Sequence, residues 1–401
     1  MPVPSYRPPP ADAPSRRGVP RRLFIGAAAA VTAALLLGLG AASLFGDRFA
    51  RAGDPAGQWR SPTETVAPTQ PSPVPTTPPA AAVTLSATGD IVLGDEGRLP
   101  ADDGAGFFAQ VVDALAADLV MGNLEQPLTE DTGHEKCPEE ATACHAFRAP
   151  PHYAAHLRDG GFDLMNLANN HGNDFGPAGR ENTRAALADH GIAHTGEREE
   201  ITVVSAAGVE VAVVGFSPYA WTNDLNDHGQ ASAVVARAAD QADLVVVQVH
   251  MGAEGADATR VSPGPEEYYG EQRGDPMAFA RAVVDAGADL VVGHGPHVLR
   301  GLEFYQGRLI AYSLGNFAGG GGTLNAAGPL GLGAVLRVSL HADGGFAAGQ
   351  LVSTHMYDAG LPRPDPEQRG LELVRDVTAL DFPETGAQLG PDGEITPPSV
   401  G

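Results

Sequence analysis

The sequence is poor in positive charge. Lys136 is its only lysine, and its 25 basic residues are outnumbered by 49 acidic ones, which gives a formal net charge of −24. A chain this acidic repels phosphate backbones, which argues against nucleic-acid binding, and it attracts divalent cations. A Walker-type phosphate loop needs Gly-Lys-Ser/Thr. That tripeptide does not occur in the chain, so ATP-driven chemistry of the P-loop kind is excluded.

Charged residues are missing altogether from residues 23–46, which are rich in Leu, Ala and Gly. A stretch of this length can cross about 30 Å of hydrocarbon as a helix. Five arginines precede it: Arg7, Arg16, Arg17, Arg21 and Arg22. By the positive-inside tendency, residues 1–22 form a disordered cytoplasmic tail and everything after the span lies outside the cytoplasm. Because Arg21 and Arg22 also fit a twin-arginine export signal, the span is either a single-pass anchor in the cell membrane, which we expect, or a cleaved signal.

The next segment, residues 47–82, lacks the apolar residues of a core and is rich in Pro and Thr. Proline removes backbone donors and favours extended geometry, so this segment is predicted to be a disordered spacer. It separates the membrane span from a folded domain over residues 83–357. Residues 358–401 are acidic and rich in Pro and Gly, and they are predicted to be a poorly ordered tail apart from a short helix near residues 371–377.

Cysteine is scarce as well. Cys137 and Cys144 are the only two, and they lie close together in a polar loop. Two cysteines with no second pair do not favour a zinc knuckle, although His134 and His145 flank them. Outside the cytoplasm the default for such a pair is a disulfide. The sequence therefore predicts a loop closed by a Cys137–Cys144 bond.

Short apolar runs that end in polar side chains recur along residues 83–317. Each run has the length of a buried strand, and helical patterns separate the runs. Strands that alternate with helices predict an α/β domain, and ligands in such domains gather at the carboxyl ends of the strands. The polar side chains at these ends are Asp90, Asn123, Glu125, Asn169, Asn170, His171, His250, Glu254, His294 and His297.

The central example is the run that ends in Asn169, Asn170 and His171. Two carboxamides and an imidazole are costly to bury without partners, so either a hydrogen-bond network or a bound metal should satisfy them. Taken together, the carboxylates, amides and imidazoles of all these strand ends form a mixed oxygen and nitrogen ligand set. Such a set suits manganese, iron or zinc. A serine hydrolase is disfavoured, because the sequence around Ser313 lacks the first glycine of a nucleophile elbow.

Six motifs in this region resemble, in order, those of the CapA capsule-synthesis family, also described as poly-γ-glutamate synthesis proteins. They are Gly89-Asp90, Asn123-Leu-Glu125, Ala168-Asn-Asn-His171, His250-Met-Gly-Ala-Glu254, Gly293-His-Gly-Pro-His297 and Ser313-Leu-Gly-Asn-Phe317. The resemblance implies a metallophosphatase-like four-layer αββα sandwich with two mixed sheets. It also implies a role in making or exporting anionic polyglutamate at the cell envelope, where other capsule-synthesis proteins are expected partners.

Comparison with true metallophosphoesterases assigns the expected metal ligands. Asp90 matches their first aspartate, Asn170 the asparagine of their Asn-His motif, His250 their isolated histidine, and His294 and His297 their closing pair. This resemblance has two departures. Val92 stands where the phosphatases have a histidine, and Asn123 stands where they have a bridging aspartate, with Glu125 as the possible substitute. Phosphoesterase activity therefore does not carry over to this chain.

If the site is catalytic, His171 and Glu254 are the candidates for proton transfer, because each lies beside a proposed ligand. An alternative to a capsule role is an extracytoplasmic metal-dependent hydrolase that acts on a phosphoester or γ-glutamyl amide of another envelope polymer. A polyglutamate substrate also requires local positive charge in so acidic a chain. The candidates are Arg148, Arg260, Arg273 and Arg300.

Overall fold

The computed structural model describes residues 82–138, 140 and 144–399. Most of the strands lie in the first three quarters of this region. They are β1 Ala82–Val92, β2 Leu119–Leu124, β3 Leu164–Asn166, β4 Ala193–Thr195, β5 Thr202–Ala206, β6 Val209–Ser217, β7 Asn223–Asp224, β8 Leu244–His250, β9 Glu267–Tyr268, β10 Glu271–Gln272, β11 Leu290–His294, β12 Leu302–Tyr305, β13 Arg308–Ala311 and β14 Asn316–Gly319. The remaining strands are β15 Leu332–His341, β16 Phe346–Tyr357, β17 Leu361–Pro364, β18 Gln388–Leu389 and β19 Glu394–Thr396.

The α-helices are mostly short and connect the strands. They are α1 Val112–Leu115, α2 Ala154–Asp159, α3 Gly176–Asp189, α4 His228–Ala239, α5 Pro276–Asp285 and α6 Arg369–Asp381. Two of them have the start signals that the sequence suggests. The Asp227 side chain accepts a hydrogen bond from the backbone N of Gln230 at the start of α4, and Asp275 does the same for Ala278 at the start of α5, where Pro276 is the first helical residue.

The strands form two large sheets. The first has ten strands in the order β18-β19-β16-β15-β1-β2-β3-β4, with β14 paired to β1 and β17 to β16. The second has seven in the order β12-β13-β11-β8-β6-β5, with β7 paired to β6. Strands β1 to β4 are parallel and β15 and β16 antiparallel in one sheet, whereas β6, β8, β11 and β13 are parallel in the other. The predicted pair of mixed sheets is confirmed.

The two sheets pack face to face. One apolar cluster joins alternate residues of β1, such as Leu85, to alternate residues of β8, such as Val246. The opposite face of β8 packs on α4 and α5, where Val247 meets Val234 and Phe279. The opposite face of the other sheet packs on the segments around α2 and α3. Burial of this apolar area drives the chain into layers, and the layers bring the carboxyl ends of β1, β2, β8 and β11 to one edge.

The chain after Tyr357 is part of the fold, and the prediction of a poorly ordered tail was wrong. Strands β17 and β19 pair with β16 by backbone hydrogen bonds, which require no apolar sequence pattern. Helix α6 contains the predicted helix over residues 371–377, and it buries Leu371, Val374 and Val377. The backbone pairing and this apolar stripe offset the acidic, Pro-rich composition. The other proposed domain boundaries stay predictions.

The predicted disulfide is confirmed. The Cys137 and Cys144 sulfurs are bonded, with Cα atoms 5.6 Å apart. In the part of the chain that the structure describes, each helix is too short or too polar to span a bilayer. The predicted anchor over residues 23–46 and the spacer up to residue 81 lie outside that part.

Candidate metal centre

The candidate site lies where the two sheets meet. Asp90 is opposite Asn123 of β2 and Asn316 of β14 in the first sheet, while His250 is directly opposite His294 in the second. All five side chains are buried. Because strand order and register are fixed by the sheets, residues more than 200 positions apart along the chain become neighbours.

The turn after β11 brings two histidines to Asp90. A Cβ atom on Gly293 would lie 2.2 Å from the Tyr312 carbonyl oxygen, so only glycine permits this close approach. His297 adopts a left-handed φ of 59°, a conformation that costs on the order of 1–3 kcal/mol and that clusters at functional sites. In this conformation His297 Nδ1 lies 3.2 Å from Asp90 Oδ2, and His294 Nδ1 lies 3.6 Å from Asp90 Oδ1.

Asp90, Glu125 and His297 could hold a metal ion. One ligand atom from each of the three residues lies within 4.8 Å of the others, and His297 Nε2 is 3.6 Å from Glu125 Oε1. Two carboxylates and an imidazole are ligands that manganese, iron and zinc all accept. Within the described residues, this is the group of acidic, histidine or cysteine side chains that meets this spacing.

Several buried atoms at the site lack a hydrogen-bond partner among the described residues. They include both carboxylate oxygens of Glu125, Nδ1 of His294, Nδ1 of His250 and Oδ1 of Asn170. Buried polar atoms are nearly always paired, because an unpaired one costs about 1–3 kcal/mol. Each of the four residues is an expected ligand, and a bound cation would satisfy the unpartnered atoms of Glu125, His294 and Asn170. The donor set therefore fits a divalent metal.

His294 has the arrangement of a typical metal ligand. Its Nε2 lies 3.2 Å from Gln248 Oε1, and an amide oxygen there fixes the proton on Nε2 and leaves Nδ1 free as an acceptor. Such outer hydrogen bonds orient ligating histidines in metal proteins. The Nδ1 atom faces Asp90, so this ring can bind the same cation as the carboxylate.

His250 is held differently. Its Nε2 lies 3.0 Å from Arg273 Nη1, and because a guanidinium can only donate, a neutral His250 carries its proton on Nδ1. Burial first and the Arg273 charge second lower the pKa of His250 well below the usual histidine range. His250 could therefore bind a metal through Nε2 only if Arg273 moved away, and through Nδ1 only if that atom lost its proton.

The asparagines fall into two groups. Asn123 donates from Nδ2 to Asp90 Oδ1 at 2.8 Å and accepts at Oδ1 from Asn166 and Asn169, at 2.9 and 3.1 Å. Its Nδ2 thus holds Asp90, and its Oδ1 is occupied by the other two asparagines. Asn170 has the unpartnered Oδ1. The sequence left two interpretations of the Asn-Asn-His motif, a hydrogen-bond network or a metal site. Asn169 belongs to a hydrogen-bond network, whereas Asn170 has an oxygen that could bind a metal.

An open cleft of about 660 Å³ lies beside the centre. Asn170, His171 and Glu254 line it, together with Arg273 and Lys136. Glu254 Oε1 accepts from Arg273 Nη2 at 2.6 Å, and Glu254 Oε2 is 3.8 Å from His297 Nε2. The two candidates for proton transfer thus lie where the site opens to solvent. Four aromatic side chains complete one wall: Tyr219, Trp221, Tyr268 and Tyr269.

The sequence of this chain matches known capsule proteins. The family model described as "Bacterial capsule synthesis protein PGA_cap" matches residues 84–320. The chain belongs to this family. That stretch contains every expected ligand and both candidates for proton transfer, so the CapA resemblance is confirmed.

Two relatives in the family carry CapA names. The "PGA biosynthesis protein CapA" of Bacillus subtilis (strain 168) is 30% identical over 255 residues, which cover 59% of this chain and 63% of that protein. The "Capsule biosynthesis protein CapA" of Bacillus anthracis is 32% identical over 222 residues, 50% of each chain. Among solved structures, the 5'-nucleotidase precursor from Thermus thermophilus aligns over 75% of this chain and 60% of its own, with 15% identity and a TM-score of 0.40.

In this family member the expected ligands differ in how close they lie to Asp90. Asp90, Glu125, His294 and His297 lie together. His250 lies next to them and contacts Arg273, and Asn170 lies at the edge of the cleft. Glu125 is buried at the site, as expected of a substitute for the missing aspartate at Asn123. Whether these side chains bind metal stays a prediction.

Three residues that were not predicted hold the site histidines in place: Gln248 contacts His294, Asn316 contacts His297 and Asp174 contacts His171. His297 Nδ1 lies 2.8 Å from Asn316 Oδ1, and His171 Nδ1 lies 2.7 Å from Asp174 Oδ2. A signal was present for two of them, since Asp174 follows His171 by three residues and Asn316 belongs to the last motif. Gln248 interrupts an apolar strand, which is the only hint of its role.

The charged side chains at the site shift one another's pKa values. Burial would raise the pKa of Asp90, but the neighbouring His294 and His297 rings hold it well below the usual range. Burial raises the pKa of Glu125 well above the usual range. Burial opposes a charged His297, but Glu125 and Asp90 raise its pKa well above that of a free histidine. Without metal, therefore, Glu125 and His297 both keep their protons to higher pH than the free side chains do.

We predict that the affinity for a divalent cation increases with pH. A bound cation has to displace the protons from His297 and Glu125, so the bound form carries fewer protons and affinity falls as pH falls, by about tenfold per pH unit for each proton displaced. Calorimetric titration with Mn²⁺ in two buffers of different ionisation enthalpy measures both the affinity and the protons released. His297→Gln is the matched variant and should release fewer protons. A pH-independent affinity in the wild-type chain would contradict the prediction.

Proposed function

We propose that this chain is a membrane-anchored accessory protein of poly-γ-glutamate capsule synthesis or export, with its main domain outside the cytoplasm and a divalent metal bound in a metallophosphatase-like fold. The family, the predicted anchor over residues 23–46 and the disulfide support this proposal. The observation that carries it is the set of buried, unpartnered ligand atoms on Glu125 and His294 beside Asp90.

A divalent metal held by Asp90, Glu125 and His297 would lower the pKa of a bound water and polarise the group under attack. The chain's own residues supply the rest. Asp174 Oδ2 accepts a hydrogen bond from His171 Nδ1 at 2.7 Å, so His171 Nε2 is left to accept a proton in the cleft. Glu254 holds Arg273 by a 2.6 Å ion pair, and this pair positions the guanidinium beside the site.

Arg273 is the arginine that suits an anionic polymer. It lines the cleft, and Tyr219 and Tyr268 flank its guanidinium at 5.9 and 5.6 Å. The other three candidates are not among the residues that line the cleft, and they form ion pairs elsewhere: Arg148 with Glu96, Arg260 with Asp381 and Arg300 with Glu266. Arg273 and Lys136 are the basic side chains that line the cleft, and a polyglutamate chain would meet them there, although each also contacts a carboxylate, Glu254 and Asp174 respectively.

Genetic complementation tests the proposal. In a cell that makes polyglutamate, deleting the gene should reduce the polymer at the surface, and the wild-type chain should restore it. His294→Ala should fail to restore it, because the variant loses the Nδ1 that faces Asp90. His152→Ala is the matched control, since this histidine is exposed and pairs only with Asp103 among the described residues. Unchanged polymer after deletion would reject the proposal.

A second candidate function is metal-dependent hydrolysis of another envelope ester or amide. The His171–Asp174 pair beside the expected ligands favours it, because this pair resembles a general base held by a carboxylate. The purified chain would be assayed with Mn²⁺ or Zn²⁺ against phosphodiester and γ-glutamyl amide substrates. No turnover, or turnover that survives His294→Ala, would reject this function.

A further inference from the structure

We infer that the Cys137–Cys144 disulfide and the residues that flank it, Lys136 and Phe147, form a clamp that positions His171 and Asn170, and that Lys136 is its positioning residue. The inference rests on the proposed function only in taking His171 and Asn170 as part of the site. Lys136 is the only lysine of the chain and directly precedes Cys137.

The residues of the clamp contact Asp174, a fully buried carboxylate. Lys136 Nζ lies 2.6 Å from Asp174 Oδ1, and the backbone N of Phe147 donates to Asp174 Oδ2 at 2.8 Å. His171 Nδ1 contacts the same Oδ2 at 2.7 Å. One buried carboxylate thus joins the residue before the disulfide, a residue just after it, and the histidine of the Asn-Asn-His motif.

Further contacts hold both sides of the loop against residues 170–176. On the first side, the backbone N of Lys136 donates to the Asp174 carbonyl at 2.8 Å, and Lys136 Nζ donates to the Asn170 carbonyl at 3.2 Å. On the second side, the Phe147 ring packs on the His171 ring with centroids 4.6 Å apart. The disulfide joins the two sides between these contacts.

The covalent bond matters because it links the two flanking residues, Lys136 and Phe147, that contact Asp174 and His171. Holding a lysine side chain in one geometry costs up to about 2 kcal/mol of conformational entropy. A crosslink removes much of the entropy that an open loop would gain. Lys136 also compensates the charge of Asp174, and a buried carboxylate without its partner is strongly unfavourable. Without the disulfide, we expect Lys136 to leave Asp174, and the orientation of His171 and Asn170 to loosen.

Hydrogen exchange of the full-length chain tests the clamp without requiring metal. The variants are C137S/C144S, Lys136→Met and, as the conservative form, Lys136→Arg. Exchange in a peptide spanning residues 167–176 should accelerate at least about tenfold in the first two variants and stay near wild type in Lys136→Arg, which keeps the charge. A peptide spanning residues 244–250 of β8 should not change, and its protection shows that each variant has folded.

A dithiol reductant added to the wild-type chain provides a second measurement, because it opens the disulfide without any substitution. Unchanged exchange at residues 167–176 after reduction and in C137S/C144S would overturn the inference. Mn²⁺ titration separates this outcome from failure of the proposed function. Loss of the clamp should weaken binding by about 10–100-fold, as outer-shell changes do. A wild-type chain that binds no metal would reject the metal centre, whereas the exchange data would still decide the clamp.

Discussion

Replacing Asp90 by asparagine is expected to weaken divalent-metal binding by more than the roughly 10–100-fold that changes to outer-shell partners cause. The change removes a charged ligand and keeps the size of the side chain. It also removes the negative charge to which His294 and His297 are held at 3.6 and 3.2 Å. Asn123, which donates to Asp90 Oδ1 at 2.8 Å, is then left facing an amide. Both effects weaken the same cation site.

Calorimetric titration with Mn²⁺ and metal analysis of the purified chain measure this loss. Asp365→Asn is the matched control, because Asp365 is also buried but pairs with Ser353 and Arg369 away from the site. The control should bind metal like the wild-type chain. Equal affinity of Asp90→Asn and the wild type would remove Asp90 from the ligand set and with it the centre proposed here.

Replacing Arg300 by methionine is expected to lower the free energy of unfolding by about 3–5 kcal/mol, the cost of breaking a buried ion pair. Arg300 is 1% exposed. Its Nη1 and Nη2 atoms donate to the two oxygens of Glu266 at 3.0 and 2.8 Å, and its Nε donates to the Ala258 carbonyl at 2.7 Å. Methionine fills part of the space but leaves the carboxylate and the carbonyl without these donors.

Denaturant unfolding followed by circular dichroism measures the change. Arg158→Met is the control, since Arg158 pairs with Asp159 at the surface, and exposed pairs contribute only about 0–1 kcal/mol. The double variant Arg300→Met/Glu266→Gln should recover part of the loss, because it removes the unpaired charge. A loss in Arg300→Met no larger than in the control would show that the buried pair contributes nothing.

Expectations that rested on apolar runs agreed with the structure. The runs that end in Asp90, His250 and His294 became β1, β8 and β11, since a stretch of buried β-formers has few alternatives. The acidic region after Tyr357 was read incorrectly. There β17 and β19 join the sheet through backbone hydrogen bonds, which leave no apolar pattern to recognise.

The partners of the polar side chains were harder to predict. Nothing near His250 in the sequence indicates that Arg273, 23 residues later, donates to its Nε2. In the same way, no local pattern links Lys136 to Asp174, 38 residues away, although their side chains lie 2.6 Å apart. These contacts depend on where long loops return to the sheet edge, and loop paths are set by the whole fold.

By itself, the sequence determined the polar side chains that follow the buried strands, the cysteine pair and the family, because strand periodicity and short motifs are local properties of the chain. Only the tertiary structure decided how these side chains are used. Asn123 and Asn169 form a hydrogen-bond network, and Glu125 and His294 have unpartnered atoms. Arg273 donates to Nε2 of His250. The reason is physical: a buried polar atom is satisfied by whichever group the packing of two sheets brings within about 3 Å.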